Sequence, residues 1–315
     1  MSADSLELDL ERRVGGGHTS ATGSKSRWQD GIDVAAILLL APAVVLLIAL
    51  FVGPVAFAFY LGLTNISLVG PTALHWHFTG LVNLRKLMHD QVFWESLRIT
   101  GIFLAVSAIF GVTVVGMVLA LLIQHAIAWL RVAVGAIVVV AWMLPPITAA
   151  LLWYAFSTSG GTLSFVTGTH MDFLNAFPMT IICLANIWST AGFSMLVLAA
   201  GLRNVPSEVL EAGRMEGASK WTIFRSLTLP IMQPTIVTNI LLVTLLSLAN
   251  FSLIYIMTAG GPGNATNILP IYSYQEAFQF NKLSYGALLG DVIVIIATVF
   301  AYFYVRASRR TVLSV

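Results

Sequence analysis

Six apolar runs, each long enough to cross a lipid bilayer, constrain this chain more than any other feature of its sequence. They lie at about residues 35–62, 101–123, 132–156, 179–201, 231–257 and 286–305. A spanning helix needs about 20 mainly apolar residues, and helices suit lipid because they pair their backbone N–H and C=O groups internally. Pro42 and Pro54 in the first run and Leu144-Pro145-Pro146 in the third predict kinks. The sequence therefore predicts an all-α integral membrane protein with six transmembrane helices.

The composition agrees with this class, because only 10% of the 315 residues are charged and soluble domains carry roughly 25%. The transmembrane domain is predicted at 34–306, with a disordered cytoplasmic tail at 1–33 and a short cytoplasmic tail at 307–315. In the first tail, Gly17 to Ser26 resembles a phosphate-binding loop, but Ser24 separates the glycine from Lys25 and no apolar strand precedes it. We therefore expect that this chain does not hydrolyse ATP, and no catalytic site, metal site or cofactor is predicted for it.

The distribution of Lys and Arg predicts the orientation in the membrane. With six spans, both termini lie on the same side as the loop at 124–131 and the polar insert at 202–230. That side carries twelve of the sixteen Lys and Arg, and the opposite loops carry Arg85, Lys86, Arg98 and Lys282. Both termini and the insert are therefore predicted to be cytoplasmic.

The polar insert, about residues 204–230, predicts two short helices joined by a turn. Pro206 suits the first turn of a helix, and Glu208 and Glu211 place negative charge near its start. Gly217 can adopt a backbone conformation that ends this helix, and Ser219 can cap a second one running towards Pro230. The pattern alone leaves two interpretations open: an interfacial helix that only joins two spans, or a docking element.

The order of residues in the insert resembles the signature loop of binding-protein-dependent ABC importer permeases. Glu211-Ala212-Gly213, then Gly217-Ala218, then Leu229-Pro230 follow the pattern E-A-A-x-x-x-G-A with a later I/L-x-L-P. Gly213 replaces the usual alanine, which should cost on the order of 1 kcal/mol of helix stability. Four further segments resemble the carbohydrate branch, of the maltose-permease and glycerol-phosphate-permease type: FTGLVNLRKL from Phe78, FWESLRIT from Phe93, Thr258 to Thr266, and YGAL from Tyr285.

This resemblance covers about residues 35–305 and implies the type I ABC importer permease fold, with a cytoplasmic coupling helix between helices four and five. It implies a non-catalytic permease subunit in the inner membrane. Its partners would be a second permease subunit in a heterodimer, an ABC ATPase dimer that binds ATP and Mg, and an extracytoplasmic solute-binding protein. Glu211 would meet a basic group on the ATPase, and Gly217 would permit the turn. The coupling residues implied are Glu211, Ala212, Gly213, Gly217, Ala218, Trp221 and Pro230, of which Ala212, Ala218 and Trp221 would fill the ATPase cleft.

Polar residues within the apolar runs indicate a substrate path, because such groups are costly in lipid unless they line a cavity or pair. Ser247 and Asn250 lie three residues apart, on one helical face, at positions where the resemblance implies substrate-lining groups. The predicted path consists of Trp188, Thr190, Phe193, Ser194, Ser247 and Asn250. Asn186, Ser189 and Thr244 are further polar residues of the same two runs. Hydrogen bonding between helices remains an alternative for the polar residues, and packing for the two aromatic ones.

The absence of Lys and Arg from the six runs favours a neutral carbohydrate as cargo. Glycerol 3-phosphate or another polyol remains an alternative, since a partner permease could supply an arginine. An ion-coupled secondary carrier is the alternative class, but it would call for an ion-coupling cluster and inverted repeats. Asp291 is the one clear acid within the runs, expected near the outer interface in a paired or snorkelling position. Asp172 and Glu276 are expected to be solvated acids of outer loops, with contact to the binding protein as the alternative.

Overall fold

The computed structural model describes residues 34–312, and it describes the side chains of residues 39–306. The tail predicted at 1–33 lies outside the described residues. The chain divides into two compact units, Met1–Pro54 and Val55–Val315, and every contact reported below belongs to the second unit. Among the described residues the structure is helical, and the sole extended pairing is an isolated bridge between Thr64 and Phe78.

Seventeen α-helices follow one another along the described part of the chain. They are α1 Val34–Leu47, α2 Gly53–Gly62, α3 Pro71–Leu74, α4 Val82–Met88, α5 Gln91–Phe103, α6 Thr113–His125, α7 Ala128–Met143, α8 Pro146–Ser157, α9 Thr162–Thr167, α10 Phe173–Ala176, α11 Pro178–Arg203, α12 Ser207–Met215, α13 Lys220–Ile223, α14 Leu229–Leu248, α15 Phe251–Thr258, α16 Leu269–Tyr274 and α17 Leu283–Val312. Three π-helical turns connect consecutive helices: Ile48–Val52 joins α1 to α2, Leu104–Val112 joins α5 to α6, and Phe224–Thr228 joins α13 to α14. A fourth π-helical turn, Gln275–Gln279, follows α16.

Five helices are long and apolar enough to cross a membrane. They are Leu39–Gly62, Gln91–His125, Pro178–Arg203, Lys220–Leu248 and Leu283–Arg306. The pair Ala128–Met143 and Pro146–Thr167 supplies a sixth span when it is counted as one, and it is bent by 102°. The bend lies at Leu144-Pro145, as the sequence predicts, because a proline has no N–H to continue a helix and clashes with the preceding turn.

Three span boundaries differ from the sequence prediction. The second span begins at Gln91 rather than near 101, because Asp90 accepts hydrogen bonds from the N–H groups of Val92 and Phe93 and so starts the helix early. The fifth span was expected to run unbroken over 231–257, but α14 ends at Leu248 and α15 begins at Phe251. The last helix continues to Val312, through residues expected to form a tail.

Buried apolar side chains form three clusters along the spans. One cluster, which includes Phe103, Ile182 and Leu253, joins the second span to α11 and α15. Another, which includes Met195 and Met232, lies towards the end of α11 that leads into the polar insert. The third cluster joins the start of the second span to α16 and α17. The second, fourth and fifth spans are thereby packed around a common interior.

A tyrosine pair and one carboxylate hold the third cluster together at the opposite end of the spans from the insert. The hydroxyls of Tyr272 and Tyr285 both donate to Oδ2 of Asp90. Burial raises the pKa of Asp90, but these two hydrogen bonds, together with those from the backbone, outweigh it and leave the pKa below its ordinary value of 3.8. This contact set, here called the Asp90 cluster, ties the start of α5 to α16 and α17.

Two acids differ from their predicted environments. Glu276 is buried and accepts a hydrogen bond from the ammonium of Lys282 at 3.2 Å, so it is not a solvated acid of an outer loop. Asp291 is buried in α17, where Gly62 leaves space for it: a Cβ at Gly62 would stand 3.0 Å from Oδ2 of Asp291. Within the described residues, this oxygen has no hydrogen-bond partner, so the expected pairing or snorkelling of Asp291 is not observed.

Candidate functional site

The polar insert folds into an elbow, residues 207–223, made of α12, a turn and α13. Pro206 stands at the N-cap of α12, one position before the first turn. Gly217 has φ +76°, a conformation that side chains with a Cβ rarely adopt, and its N–H bonds the carbonyl of Arg214 at 3.0 Å. Ser219 then caps α13 by accepting the N–H of Thr222 at 3.2 Å. The predicted turn at Gly217 and cap at Ser219 are confirmed.

The inward side of the elbow explains the glycine at 213. Gly213 is buried, and a Cβ at this position would come within 2.9 Å of Cδ1 of Leu227 and 3.4 Å of Cγ1 of Ile223. The absence of a side chain therefore lets α12 lie close against the start of the fifth span. Ala218 is half-buried at the turn between the two helices.

The outward side of the elbow combines charge with large apolar groups. Glu211 and Ala212 are exposed on α12. The side chains of Met215 and Trp221 are 89% and 66% exposed. Large apolar side chains exposed on an otherwise polar segment are compatible with a contact surface for another protein.

The elbow is directly continuous with the spans on both sides. The fifth span runs from Lys220 to Leu248 as one helix of 29 residues, and Pro230 lies within it. On the other side, three residues separate the elbow from α11, the 26-residue helix that ends at Arg203. The elbow is therefore joined to the fourth and fifth spans without a long linker on either side.

A cavity of about 280 Å³ lies where the third and fifth spans are broken. It is called the path cavity below, and its lining is Trp142, Leu144, Pro146, Ser189, Thr190, Leu246, Ala249 and Asn250. The first three belong to the break between α7 and α8, and the last two to the break between α14 and α15. Discontinuous helices expose backbone and side-chain polar groups at membrane depth, as binding sites of many transporters do.

A buried hydrogen-bond network holds Asn250 at the edge of this cavity. The Nδ2 group of Asn250 donates to Oδ1 of Asn186 at 3.2 Å. In turn, Nδ2 of Asn186 donates to Oγ of Ser107 at 2.7 Å and to Oγ of Ser247 at 2.9 Å. The Oδ1 atom of Asn250 is itself buried and has no hydrogen-bond partner within the described residues, although the residue as a whole lines the cavity. The network fixes this amide because three spans contribute to it.

The structure places the six predicted path residues in different surroundings. Asn250 and Thr190 line the path cavity. Ser247 is fully buried and bonded to Asn186, between helices. Ser194 is also fully buried, where a Cβ at Gly116 would clash with it, so it lies at a close helix–helix contact.

The two predicted aromatic residues of the path pack against other rings. Phe193 packs against Trp142, whose side chain lines the path cavity, with ring centroids 5.6 Å apart. Trp188 is 38% exposed, and it lines a separate apolar groove together with Trp153 and Phe156.

Sequence reasoning did not single out the network as a unit. The sequence marks Asn186 only as one polar residue of the fourth run and does not distinguish Ser107, because their pairing depends on a contact between residues 79 positions apart. The residues at the break of the third span were noted only for the kink. The proline pair is the signal that points to polar surroundings there, since freed backbone groups must be satisfied by neighbouring groups or water.

Comparison with known proteins identifies the family. The family model described as "Binding-protein-dependent transport system inner membrane component" matches residues 112–313, more than half of the chain. The chain belongs to this family. The permease is 31% identical, over 295 residues, to the sulfoquinovosyl glycerol transport system permease protein of Agrobacterium fabrum, covering 90% of this chain and 94% of that protein.

Two further comparisons cover nearly the whole permease. It is 28% identical over 306 residues to the trehalose transport system permease protein of Mycobacterium tuberculosis, covering 94% of each chain. Among solved structures, a chain of a bacterial ABC transporter that imports the acidic polysaccharide alginate superposes with a TM-score of 0.69 at 20% identity, covering 97% of this permease and 99% of that chain. The permease therefore has the all-α fold of type I ABC importer permeases, and it is a multi-pass inner-membrane component of a transporter.

Proposed function

We propose that this permease forms, with a second permease subunit, the path by which a neutral carbohydrate enters the cell. An extracytoplasmic binding protein delivers the carbohydrate, and ATP hydrolysis on a separate ATPase dimer, which binds ATP and Mg, drives its import. Both termini and the elbow face the cytoplasm in this proposal, in agreement with the excess of Lys and Arg on that side. The named relatives support a carbohydrate as the class of cargo, because their own names give sulfoquinovosyl glycerol and trehalose. They do not support its neutrality, which is inferred from the path cavity.

The path cavity is the observation that carries the choice of cargo. Asn250, Thr190 and Ser189 provide amide and hydroxyl groups, which donate and accept hydrogen bonds without carrying charge. No Lys or Arg is among the residues that line it in the described part of the chain. An anion entering this cavity would lose its hydration without gaining a countercharge, so a neutral polyhydroxy solute fits better.

The elbow supports the proposed coupling to an ATPase. Met215 and Trp221 offer exposed apolar groups, and Glu211 offers a charge that can pair with a basic group on the ATPase. Closure of the ATPase dimer would tilt the elbow. Because the fifth span runs unbroken from Lys220 to Leu248, next to the cavity residue Asn250, this tilt would move one wall of the path cavity. The second wall, on α11, is joined to the other end of the elbow.

Uptake by the complete complex in proteoliposomes tests the proposal. The complex contains the permease, its partner permease and the ATPase, and labelled neutral saccharides and glycerol 3-phosphate are offered with and without ATP and binding protein. We expect uptake of a neutral saccharide that needs both ATP and binding protein, and no uptake of glycerol 3-phosphate. Gradient-driven uptake by this chain alone, without ATP, would contradict the proposal and favour a secondary carrier.

A further inference from the structure

A second cavity, here called the vestibule, lies at the far ends of α8 and α15, the two helices that begin at the path cavity. The helix α8 begins at Pro146, which lines the path cavity, and ends beside Thr158, which lines the vestibule. In the same way α15 follows Asn250 and ends at Thr258 in the vestibule wall. Thr258 follows Asn250 by eight positions, a rise of about 12 Å in a helix. Since α8 and α15 pack against each other, the two cavities follow one another along a shared wall.

The vestibule lies at the end of α11 opposite to the elbow. Asp172 and Asn175 line it just before α11 begins at Pro178, and the elbow follows the end of that helix at Arg203. Twenty-six helical residues span about 39 Å, roughly the thickness of a bilayer with its headgroups. In the proposed orientation the vestibule therefore opens to the outside of the cell.

The lining of the vestibule suits a saccharide. Its volume is about 400 Å³, within the range of about 300–1,000 Å³ typical of small-molecule sites. Tyr154, whose side chain is 45% exposed, can place an aromatic face against the C–H groups of a sugar ring. Asp172, Asn175 and Thr158 add a carboxylate, an amide and a hydroxyl. No lysine or arginine lines the vestibule within the described residues.

Asp172 is held in place and still has acceptor capacity. Its Oδ1 atom accepts a hydrogen bond from the backbone N–H of Asn175 at 3.0 Å, and its Oδ2 atom accepts one from the side-chain Nδ2 of the same residue at 2.8 Å. A carboxylate has about four lone-pair sites, so two remain for sugar hydroxyls. Its negative charge, without a lysine or arginine in the lining, disfavours an anionic cargo.

We propose that the vestibule is a receiving site for the neutral saccharide, which occupies it before moving about 12 Å inward to the path cavity. Asp172 and Tyr154 are the groups that bind the saccharide there. This inference rests on the proposed function and adds a second, outer position to the path.

Protection of an introduced cysteine tests the inference. Thr158→Cys in the vestibule is compared with Phe165→Cys, whose native side chain is 86% exposed on the same outer segment and does not line the vestibule. Both are made with Cys183→Ala, which removes the one native cysteine, and the complete complex is held in nanodiscs. A charged thiol reagent is added without nucleotide, in the presence or absence of the saccharide that gives the highest ATP-dependent uptake. A separate arm contains sugar-free binding protein and no saccharide.

We expect the saccharide to slow modification of Thr158→Cys at least about twofold, the value for half occupancy, and to leave Phe165→Cys unchanged. Asp172→Asn retains the cap of α10, because asparagine caps as well as aspartate, but it should abolish the protection. Glu95→Gln is the matched control, since it removes an exposed carboxylate that does not line the vestibule, and it should preserve the protection.

Three outcomes would overturn the inference while leaving the proposed function intact. The saccharide could be taken up with ATP and yet give no protection at any concentration. Protection could persist undiminished in Asp172→Asn. Sugar-free binding protein could protect Thr158→Cys while the saccharide does not, in which case the vestibule is a docking surface for that protein. Failure of every saccharide to be taken up would instead contradict the proposed function itself.

Discussion

The elbow and the path cavity differ in how their residues come together. The elbow is a single continuous segment of 17 residues, 207–223, whose turn, cap and exposed face follow from neighbouring positions in the chain. The path cavity draws on three spans, and its supporting network joins Ser107, Asn186 and Ser247 across as many helices. The comparison teaches that a surface element such as the elbow can be encoded by neighbouring residues, whereas a cavity between spans depends on how the breaks of distant helices align.

The largest expected effect concerns the turn of the elbow. Gly217→Pro fixes φ near −65° where the structure has +76°, so the elbow cannot keep its shape and ATP-dependent uptake should be abolished. The protein should still insert in the membrane, because the spans are unaffected. Gly168→Pro is the matched control: Gly168 has φ +66°, and its N–H bonds Phe165 just as that of Gly217 bonds Arg214. Undiminished uptake by well-assembled Gly217→Pro complexes would remove the elbow from the coupling.

A smaller effect is expected at the path cavity. Asn250→Ala removes the amide side chain that lines the cavity, and uptake of the saccharide should fall about tenfold, equivalent to roughly 1.4 kcal/mol. Asn239→Ala is the control, because Asn239 is a buried asparagine of the same span that bonds Thr113 at 3.2 Å away from the cavity lining. Uptake rates are measured together with thermal unfolding in detergent. Equal losses of uptake in the two variants, at equal stability, would mean that Asn250 only packs helices.

The Asp90 cluster lies outside both regions and tests whether stability alone changes transport. Asp90→Asn retains the helix cap but weakens the hydrogen bonds from Tyr272 and Tyr285, so the free energy of unfolding should fall by about 1 kcal/mol at pH 7. Uptake by the folded protein should stay unchanged. Glu95→Gln, an exposed position on the same helix, should leave the stability unchanged as well. Loss of uptake without loss of stability would give the Asp90 cluster a role in transport.

The pH dependence of this variant has a defined sign. The pKa of Asp90 lies below 3.8 in the folded protein, so its contribution to stability is complete above that value and is lost as the pH falls through the native pKa. The melting temperatures of the wild-type protein and Asp90→Asn should therefore converge in acid. A difference in melting temperature that stays constant down to the native pKa and below would contradict this account.

The smallest effect is expected at Gly213, on the inward side of the elbow. Gly213→Ala gains up to about 1 kcal/mol of helix propensity, and its Cβ requires the end of the Leu227 side chain to move from a 2.9 Å contact. Because a leucine methyl can shift at small cost, the two effects should nearly cancel, with a change in unfolding free energy within about 1 kcal/mol. Thermal unfolding and coupled ATPase activity measure this. A large loss of coupling would show that the glycine sets the position of the elbow.

The sequence by itself determined the membrane class, five of the six spans to within a few turns, the bend at Leu144-Pro145 and the turn at Gly217. Each of these depends on residues close together in the chain: an apolar run, a proline without an N–H, or a glycine that tolerates a positive φ. The signature around Glu211 resembles that of the permease family, and the family assignment is confirmed.

The tertiary structure alone decided which polar residues reach a cavity. Ser247 and Asn250 share a helical face in the sequence pattern, but α14 ends between them. Both side chains bond Asn186, and of the two only Asn250 lines the path cavity. The sequence around the break at Ala249-Asn250 contains no proline that would predict it. Its position depends on contacts with distant helices, and spacing along one chain cannot encode which of those contacts form.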